Sequence, residues 1–138
     1  MCGNNNNTCS SCFSNIIERI ISLQQQGDTC CDFGGCDKPF LGNLANVVCL
    51  NTRPITFYGC NATQFEFPYT LNGVEGTSGV FRVENLDDCC CKCRVLAPNP
   101  DTTTVSTYPF VATDDFFTIN LNCVCAMKCL ADTFVSGI

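Results

Sequence analysis

Cysteine is the residue type in this sequence with the most chemistry to offer. Fifteen thiols occur in 138 residues, and there is no histidine to serve as a base or as a nitrogen ligand. A cysteine content of roughly 11% exceeds the ~8–10% that marks disulfide scaffolds in short chains. Because fifteen is odd, at least one thiol has no partner within the chain; it stays free, binds something, or bonds to a second chain. Spacing narrows the pairings. Adjacent cysteines such as Cys30-Cys31 and Cys89-Cys90-Cys91 are poorly placed to bond each other, because the small ring that results is strained. In an extended strand, cysteines two apart share a face with Cα atoms about 6.5–7 Å apart, the limit of disulfide geometry. Cys91 and Cys93, like Cys123 and Cys125, should therefore each look to a neighbouring strand or to another molecule.

The first twelve residues form a low-complexity arm, with four consecutive Asn residues and cysteines at Cys2, Cys9 and Cys12. Cysteines on a flexible arm close few useful loops in their own fold, but they reach widely once copies pack side by side. Cys2, Cys9 and Cys12 are therefore the candidates for intermolecular disulfides. The competing possibility is that they fold back onto Cys30, Cys31 or Cys36 and staple the chain internally. The remaining disulfide candidates are Cys30, Cys31, Cys36, Cys49, Cys60, Cys89, Cys90, Cys91, Cys93, Cys123, Cys125 and Cys129.

Metal chemistry is the main rival. Cys9-x2-Cys12 has a zinc-ligand spacing that Cys30, Cys31 and Cys36 would complete, and Cys90-x2-Cys93 with Cys125-x3-Cys129 would make a second site. A C-x2-C without a clear second knuckle is a weak signal, so a small cysteine-rich zinc-binding module stands as the alternative reading. We expect no bound metal and no cofactor. Thioredoxin-type redox catalysis fits badly, because no βαβ pattern surrounds either C-x2-C. Without histidine the usual base of a Ser or Cys nucleophile is missing, so the chain does not read as an enzyme. The pairs Asp87-Asp88 and Asp114-Asp115 read as turn residues, and Asn61-Ala62-Thr63 matches a glycosylation acceptor that has meaning only on a secretory route.

Charge and hydropathy exclude further classes. The net charge is −6, with seven basic residues scattered singly from Arg19 to Lys128, whereas nucleic-acid binders cluster theirs. No apolar run approaches the ~20 residues of a membrane span; the longest, Ile16–Leu23, is interrupted by Glu18 and Arg19. Heavy cysteine use implies an oxidising setting, yet Met1–Thr8 has neither a basic nor an apolar signal region. Either a signal has been cleaved, or the protein is made in a cytoplasm and oxidised later in a structure that leaves the reducing cell.

These cysteines need elements to position them. Only 14% of residues are charged and 46% are hydrophobic, which suits one domain over residues 13–138 behind the arm at 1–12. A helix is expected over about 15–26. Asn15 would cap it, Phe13, Ile16, Ile17, Ile20, Ile21 and Leu23 form its apolar stripe, and Gly27 would stop it. Beyond Gly34 come short runs rich in β-branched and aromatic residues: Val47–Leu50, Ile55–Cys60, Phe65–Tyr69, Val80–Glu84, Cys90–Leu96, Thr104–Val111 and Phe116–Cys125. Asn72-Gly73, Glu75-Gly76, Asn99-Pro100 and Asp114-Asp115 separate them. Phe65, Phe67 and Tyr69 share one face, and Ile119, Leu121, Cys123 and Cys125 another. The stretch Ala126–Phe134 fits either helix or strand. The pattern predicts a mainly β fold: an antiparallel β-sandwich, or a barrel-like domain, with one N-terminal amphipathic helix and a flexible Cys-bearing arm.

Several segments, taken in order, resemble the spore coat protein Z family of cysteine-rich coat, crust and exosporium proteins. They are Cys36-Asp37-Lys38-Pro39-Phe40-Leu41-Gly42, Asn51-Thr52-Arg53-Pro54, Val80-Phe81-Arg82-Val83-Glu84, Arg94-Val95-Leu96 and the closing Leu121-Asn122-Cys123-Val124-Cys125-Ala126-Met127-Lys128-Cys129-Leu130. The closing C-x-C-A-x-x-C-L run is the most specific piece, and the resemblance covers most of the chain from Cys36 on. It implies synthesis in the mother-cell cytoplasm without a signal peptide, and assembly around the forespore into a two-dimensional lattice. Disulfide cross-linking would follow as the mother cell is lost. The expected partners are further copies of the chain and other spore coat or exosporium proteins. The denser cluster Cys89-Cys90-Cys91-Lys92-Cys93 and the lack of histidine depart from the family pattern. A third reading, a secreted monomeric disulfide domain that binds a receptor, would run as one band on a non-reducing gel.

Overall fold

Between residues 55 and 129, alternation of apolar and polar side chains is realised as seven strands in the computed structural model, which describes residues 12–30, 50–100, 108–135 and 138. Helix α1 (Phe13–Cys30) precedes β1 (Ile55–Tyr58), β2 (Phe67–Leu71), β3 (Val74–Ser78), β4 (Phe81–Asp87), β5 (Cys90–Pro98), β6 (Phe110–Asn120) and β7 (Ala126–Cys129). Five strands form one sheet in the order β6-β5-β4-β1-β7, and β2 and β3 form a second, two-stranded sheet. Every pairing is antiparallel. The mainly β, antiparallel fold with a single N-terminal helix is as the sequence pattern predicts. Among the described residues neither sheet closes on itself, so the barrel-like variant is not borne out.

The two sheets meet across an aromatic layer. Phe67 on β2 stacks on Phe117 of β6 at 4.6 Å between ring centroids, and Phe81 of β4 meets Phe117 edge-on at 4.8 Å. Phe65 sits between them, 5.4 Å from Phe117 and 5.9 Å from Phe81. Such offset and edge contacts add to the area term that large rings bring. Phe65, Phe67 and Tyr69 all pack on this core, as their spacing requires. The Asn72-Gly73 turn forms where the sequence places it, but it leads into a strand, β3, that the sequence reading does not include: Asn72 and Gly73 adopt φ 52° and 79° and close a two-residue loop that pairs Leu71 with Val74. Glu75-Gly76 is accordingly part of β3 and not a turn. Tyr69 faces Gly76 across the pair, and its ring occupies the space a Cβ there would need.

Helix α1 lies against β4 through a narrower stripe than expected. Ile17 and Ile20 are buried and Gln24, one turn on, is too, whereas Ile16 and Leu23 are exposed. Positions 17, 20 and 24 fall on one face of a 3.6-residue helix, and 16 and 23 fall off its edge. The helix starts at Phe13, so Asn15 lies inside its first turn rather than capping it, and it runs through Gly27 to Cys30. A helical glycine costs only about 1 kcal/mol. Tertiary bonds outweigh that cost: Gln24 Nε2 donates to Val83 O at 2.8 Å and Gln24 Oε1 accepts from Arg53 N at 3.1 Å.

Two irregularities keep the sheet in phase. Val83 opposes Cys93 and Asn85 opposes Lys92, so β4 carries one extra residue there, Glu84. That bulge returns Leu86 to the inner face, opposite Cys91. On the other side of β5 the register shifts between Arg94 and Leu96, and Thr113 fills the gap by donating from Oγ1 to Val95 O at 2.7 Å. Asp114 and Asp115 thus lie within β6 and not in a turn. The expected strand Phe116–Cys125 ends early, at Asn120. The Asn120 side chain accepts from Asn122 N and starts a 3-10 turn at Leu121–Cys123, so Cys123 and Cys125 leave the strand alternation. The ambiguous C-terminal stretch is strand: β7 pairs with β1, and Thr133 bridges to Thr52. No helix among the described residues is long and apolar enough to cross a membrane.

Candidate cross-linking site

Strand alternation on β5 and the turns that flank it sort the described cysteines into three chemical states. Cys60, just after β1, is bonded to Cys125, just before β7, with Cα atoms 4.9 Å apart and a sequence separation of 65. Cys125 N donates to Tyr58 O at 2.9 Å, so the backbone brings the two ends together independently of the sulfurs. Cys89 and Cys123 each sit in a disulfide as well. Leu121 N donates to Cys89 O at 2.9 Å, which fixes the β4–β5 turn beside the 3-10 turn.

The second state is exposed and free: Cys12 ahead of α1, Cys90 at the start of β5 and Cys129 at the end of β7. β7 is an end strand of its sheet, and Cys129 is carried at its margin beside the exposed Lys128. The third state is buried and free. Cys91 and Cys93 lie together on the inner face of β5, with Sγ atoms 3.6 Å apart and hydrogen-bonded to each other. The hydrogen bond with Cys91, followed by burial, pushes the Cys93 thiol far above its ordinary range. Of the arm, only Cys12 is among the described residues. Cys2, Cys9, Cys31, Cys36 and Cys49 lie outside them, and Cys30 is the last residue of α1.

Placement also bears on the metal alternative. Cys90 and Cys93, three apart on β5, fall on opposite faces, one exposed and the other buried, so that C-x2-C does not converge on one ion. Cys125 is spent on Cys60. Among the described residues no group of three or more His, Cys, Asp or Glu side chains is placed to hold a metal ion.

The outer face of the sheet carries a group of charges beside the exposed Cys90 thiol. Arg82 on β4 and Arg94 on β5 are direct cross-strand partners, a like-charge pair that would repel. Glu84 resolves it, accepting from Arg82 Nη1 at 2.7 Å and from Arg94 Nε at 3.1 Å. Arg82 also donates to Thr52 Oγ1 and Asn51 O, and Arg94 to Thr113 O. The Arg94 guanidinium lies 4.4 Å from the centre of the Phe116 ring, with Lys92 over the same ring at 4.9 Å.

Sequence reasoning gave Asn51-Thr52-Arg53-Pro54 no role, and each of its residues ties down a different part of the chain. Asn51 exchanges two bonds with Val135, from Nδ2 to its carbonyl and from its amide to Oδ1. Thr52 accepts from Arg82, Arg53 pairs with Asp132, and Pro54 O accepts from Leu130 N. Three polar residues and a proline running into a buried strand were the available signal: polar groups there call for partners elsewhere in the chain.

The family model described as Spore coat protein Z matches residues 1–132 of the chain. No curated protein matches it significantly, and no solved structure does.

Proposed function

Since the chain belongs to the spore coat protein Z family, a family of structural proteins rather than enzymes, we propose that it is a subunit of an ordered shell layer of a bacterial endospore. Copies dock into a two-dimensional lattice in the exosporium, crust or outer coat, and thiols at their surfaces then weld neighbours together. Other coat or exosporium proteins join at the same surfaces. The protein is made in the mother-cell cytoplasm and is oxidised as that cell is lost.

The observation that carries this reading is the sorting of sulfur. The fold bonds Cys60 to Cys125 internally and still presents free, exposed thiols at Cys12, Cys90 and Cys129. These three sit at separate places in the fold, ahead of the helix, at a strand start and on an end strand. A subunit with several cross-linking points can be joined to more than one neighbour, as a sheet requires. Cys2 and Cys9 on the arm extend the set. Docking comes first, through apolar and polar contacts, because a disulfide forms only where two sulfurs are already held within a narrow geometry.

Electron microscopy of purified protein, with and without reductant, tests the reading, alongside non-reducing gels of the wild type and of the combined Cys12→Ser, Cys90→Ser, Cys129→Ser variant. The wild type should form ordered sheets and run as a ladder that collapses on reduction, and the triple variant should lose most of the ladder. Native material that stays monomeric with all its bridges internal would overturn it.

A further inference from the structure

Two thiols take no part in the cross-linking proposed above. Cys91 and Cys93 are both 0% exposed and point into the core from the inner face of β5. That strand is paired on both sides here. Cys91 lies between Leu86 and Ile119, and Cys93 between Val83 and Phe117. Ile17 and Ile20 of α1 belong to the same buried cluster. Besides each other, the polar atoms the sulfurs meet among the described residues are carbonyls of their own strand, Lys92 O at 3.9 Å and Cys91 O at 4.0 Å.

We propose that Cys91 and Cys93 are a sealed dithiol that stays reduced while the exposed thiols of the same protein oxidise, so that this chain has to fold before it is oxidised. The geometry sets a mechanical obstacle to closure. A disulfide holds its sulfurs about 2.05 Å apart with a dihedral angle near ±85–100°, whereas side chains two apart on a strand are parallel and nearly at the outer limit of Cα separation. Closing the 3.6 Å gap would require Lys92 to buckle out of line. Lys92 is the residue that pairs with Asn85 on one side and Thr118 on the other, so the ladder would break in the middle of the sheet. Exchange also needs a thiolate in contact with an oxidant, and the apolar cluster excludes both charge and solvent.

An unfolded chain has no such protection. There the two thiols can lose two protons and pass two electrons to a low-mass disulfide such as oxidised glutathione, which leaves as two molecules of the reduced thiol. The Cys91–Cys93 bond so formed holds residues 91–93 in a ring that a paired central strand does not accommodate. Oxidation before folding therefore traps the chain, and oxidation after folding reaches only the surface. The order matches a protein that folds in a reducing compartment and is oxidised afterwards, but the proposal needs no lattice to be true.

Differential alkylation of the full folded chain tests it. The protein is incubated with oxidised glutathione and labelled with light N-ethylmaleimide. It is then unfolded in guanidinium without reductant and labelled with the heavy reagent. Trypsin cuts after Lys92 and Arg94, so a Cys91–Cys93 bond would appear as the dipeptide Cys93-Arg94 joined to the peptide ending at Lys92. Cys91 and Cys93 should carry heavy label almost entirely, while Cys12, Cys90 and Cys129 carry light label or glutathione. Light label, glutathione or the joined peptide at Cys91 or Cys93 overturns the proposal. In the second arm, wild type and the Cys91→Ala, Cys93→Ala variant are oxidised in guanidinium and then diluted. The variant should recover folded protein in several-fold higher yield, and equal yields overturn the requirement for order. Both arms read single chains, so a failure to assemble would count against the proposed function and leave this result standing.

Discussion

On the inner face of the five-stranded sheet, Phe57, Phe81, Val83, Val95 and Phe117 are buried among one another. On the outer face of the same strands, Arg82, Glu84 and Arg94 meet in one bonded group with Phe116 under the guanidinium of Arg94. The inner face is held by area and shape, which are non-directional. The outer face is held by directed bonds, and those bonds reach the segment before β1 through Asn51 and Thr52. Burial can bring the sheets together, but it does not distinguish one docking of the chain ends from another. Paired charges with fixed partners do. The same alternation places two thiols of β5 inside and one outside, so the division of sulfur follows the division of the sheet.

The comparison is broken most directly on the apolar side. Phe81 is fully buried and touches the rings of Phe57, Phe65 and Phe117. Phe81→Ala should cost about 3–5 kcal/mol, a large fraction of the ~5–15 kcal/mol that holds a domain together. Phe116 carries the same side chain on the outer face but is 38% exposed; Phe116→Ala should cost less than about 1.5 kcal/mol, since its area term is smaller and its cation contacts are partly solvated. Guanidinium unfolding of both variants at one fixed redox poise measures the contrast. Equal losses would mean that the two faces are not energetically distinct.

Glu84 sharpens the other side. Its carboxylate is the shared acceptor of two buried or half-buried guanidinium groups, with side chains 6% and 14% exposed. Glu84→Gln should cost about 2–3 kcal/mol, because two cations are left facing each other with a neutral amide between them. Replacing Arg82, Glu84 and Arg94 together with Met, Leu and Met should recover most of that loss, since an apolar cluster of similar volume needs no desolvated charge. If the triple replacement is as unstable as the single one, the group's value lies in its bonds to Asn51, Thr52 and Thr113 rather than in its charge balance.

What the sequence made legible follows the same division. Period-two alternation showed the aromatic faces of Phe65, Phe67 and Tyr69 and the shared face of Cys91 and Cys93, because burial acts on every second residue of a strand. It did not show that Asp114-Asp115 lies within β6 or that Glu84 is an extra residue, since a bulge is a relation between two strands and leaves no mark on one. Helix length was misjudged at Gly27 for a similar reason: Gln24 is anchored by Val83 and Arg53, 59 and 29 residues away. The exposed thiols Cys90 and Cys129 were in the candidate set, but only the three-dimensional sheet separates them from Cys91, Cys93 and Cys125. The roles of Asn51, Thr52 and Arg53 were hidden because their partners belong to β4, α1 and the C-terminal segment.

The smallest expected effect lies where directed bonding meets solvent. Arg53 grips Asp132 with two bonds, Nε to Oδ1 at 2.7 Å and Nη2 to Oδ2 at 2.9 Å, but both side chains are more than a third exposed. The Arg53 hydrogen bond holds the Asp132 carboxyl below its ordinary value, and the carboxylate in turn raises Arg53. A depressed carboxyl contributes stability that is present above its unfolded pKa, near 3.9, and lost as pH falls through the lower folded value. Solvent and salt screen the pair, so Asp132→Asn should cost under about 1 kcal/mol near neutral pH, less at high salt. Wild type and variant should then converge once the medium is acid enough to protonate the folded carboxyl. Unfolding curves of both proteins at neutral and acid pH measure this. A difference that persists at acid pH would show that Asp132 acts through packing against the C-terminal segment, and that the directed bonds of the outer face stop short of the surface.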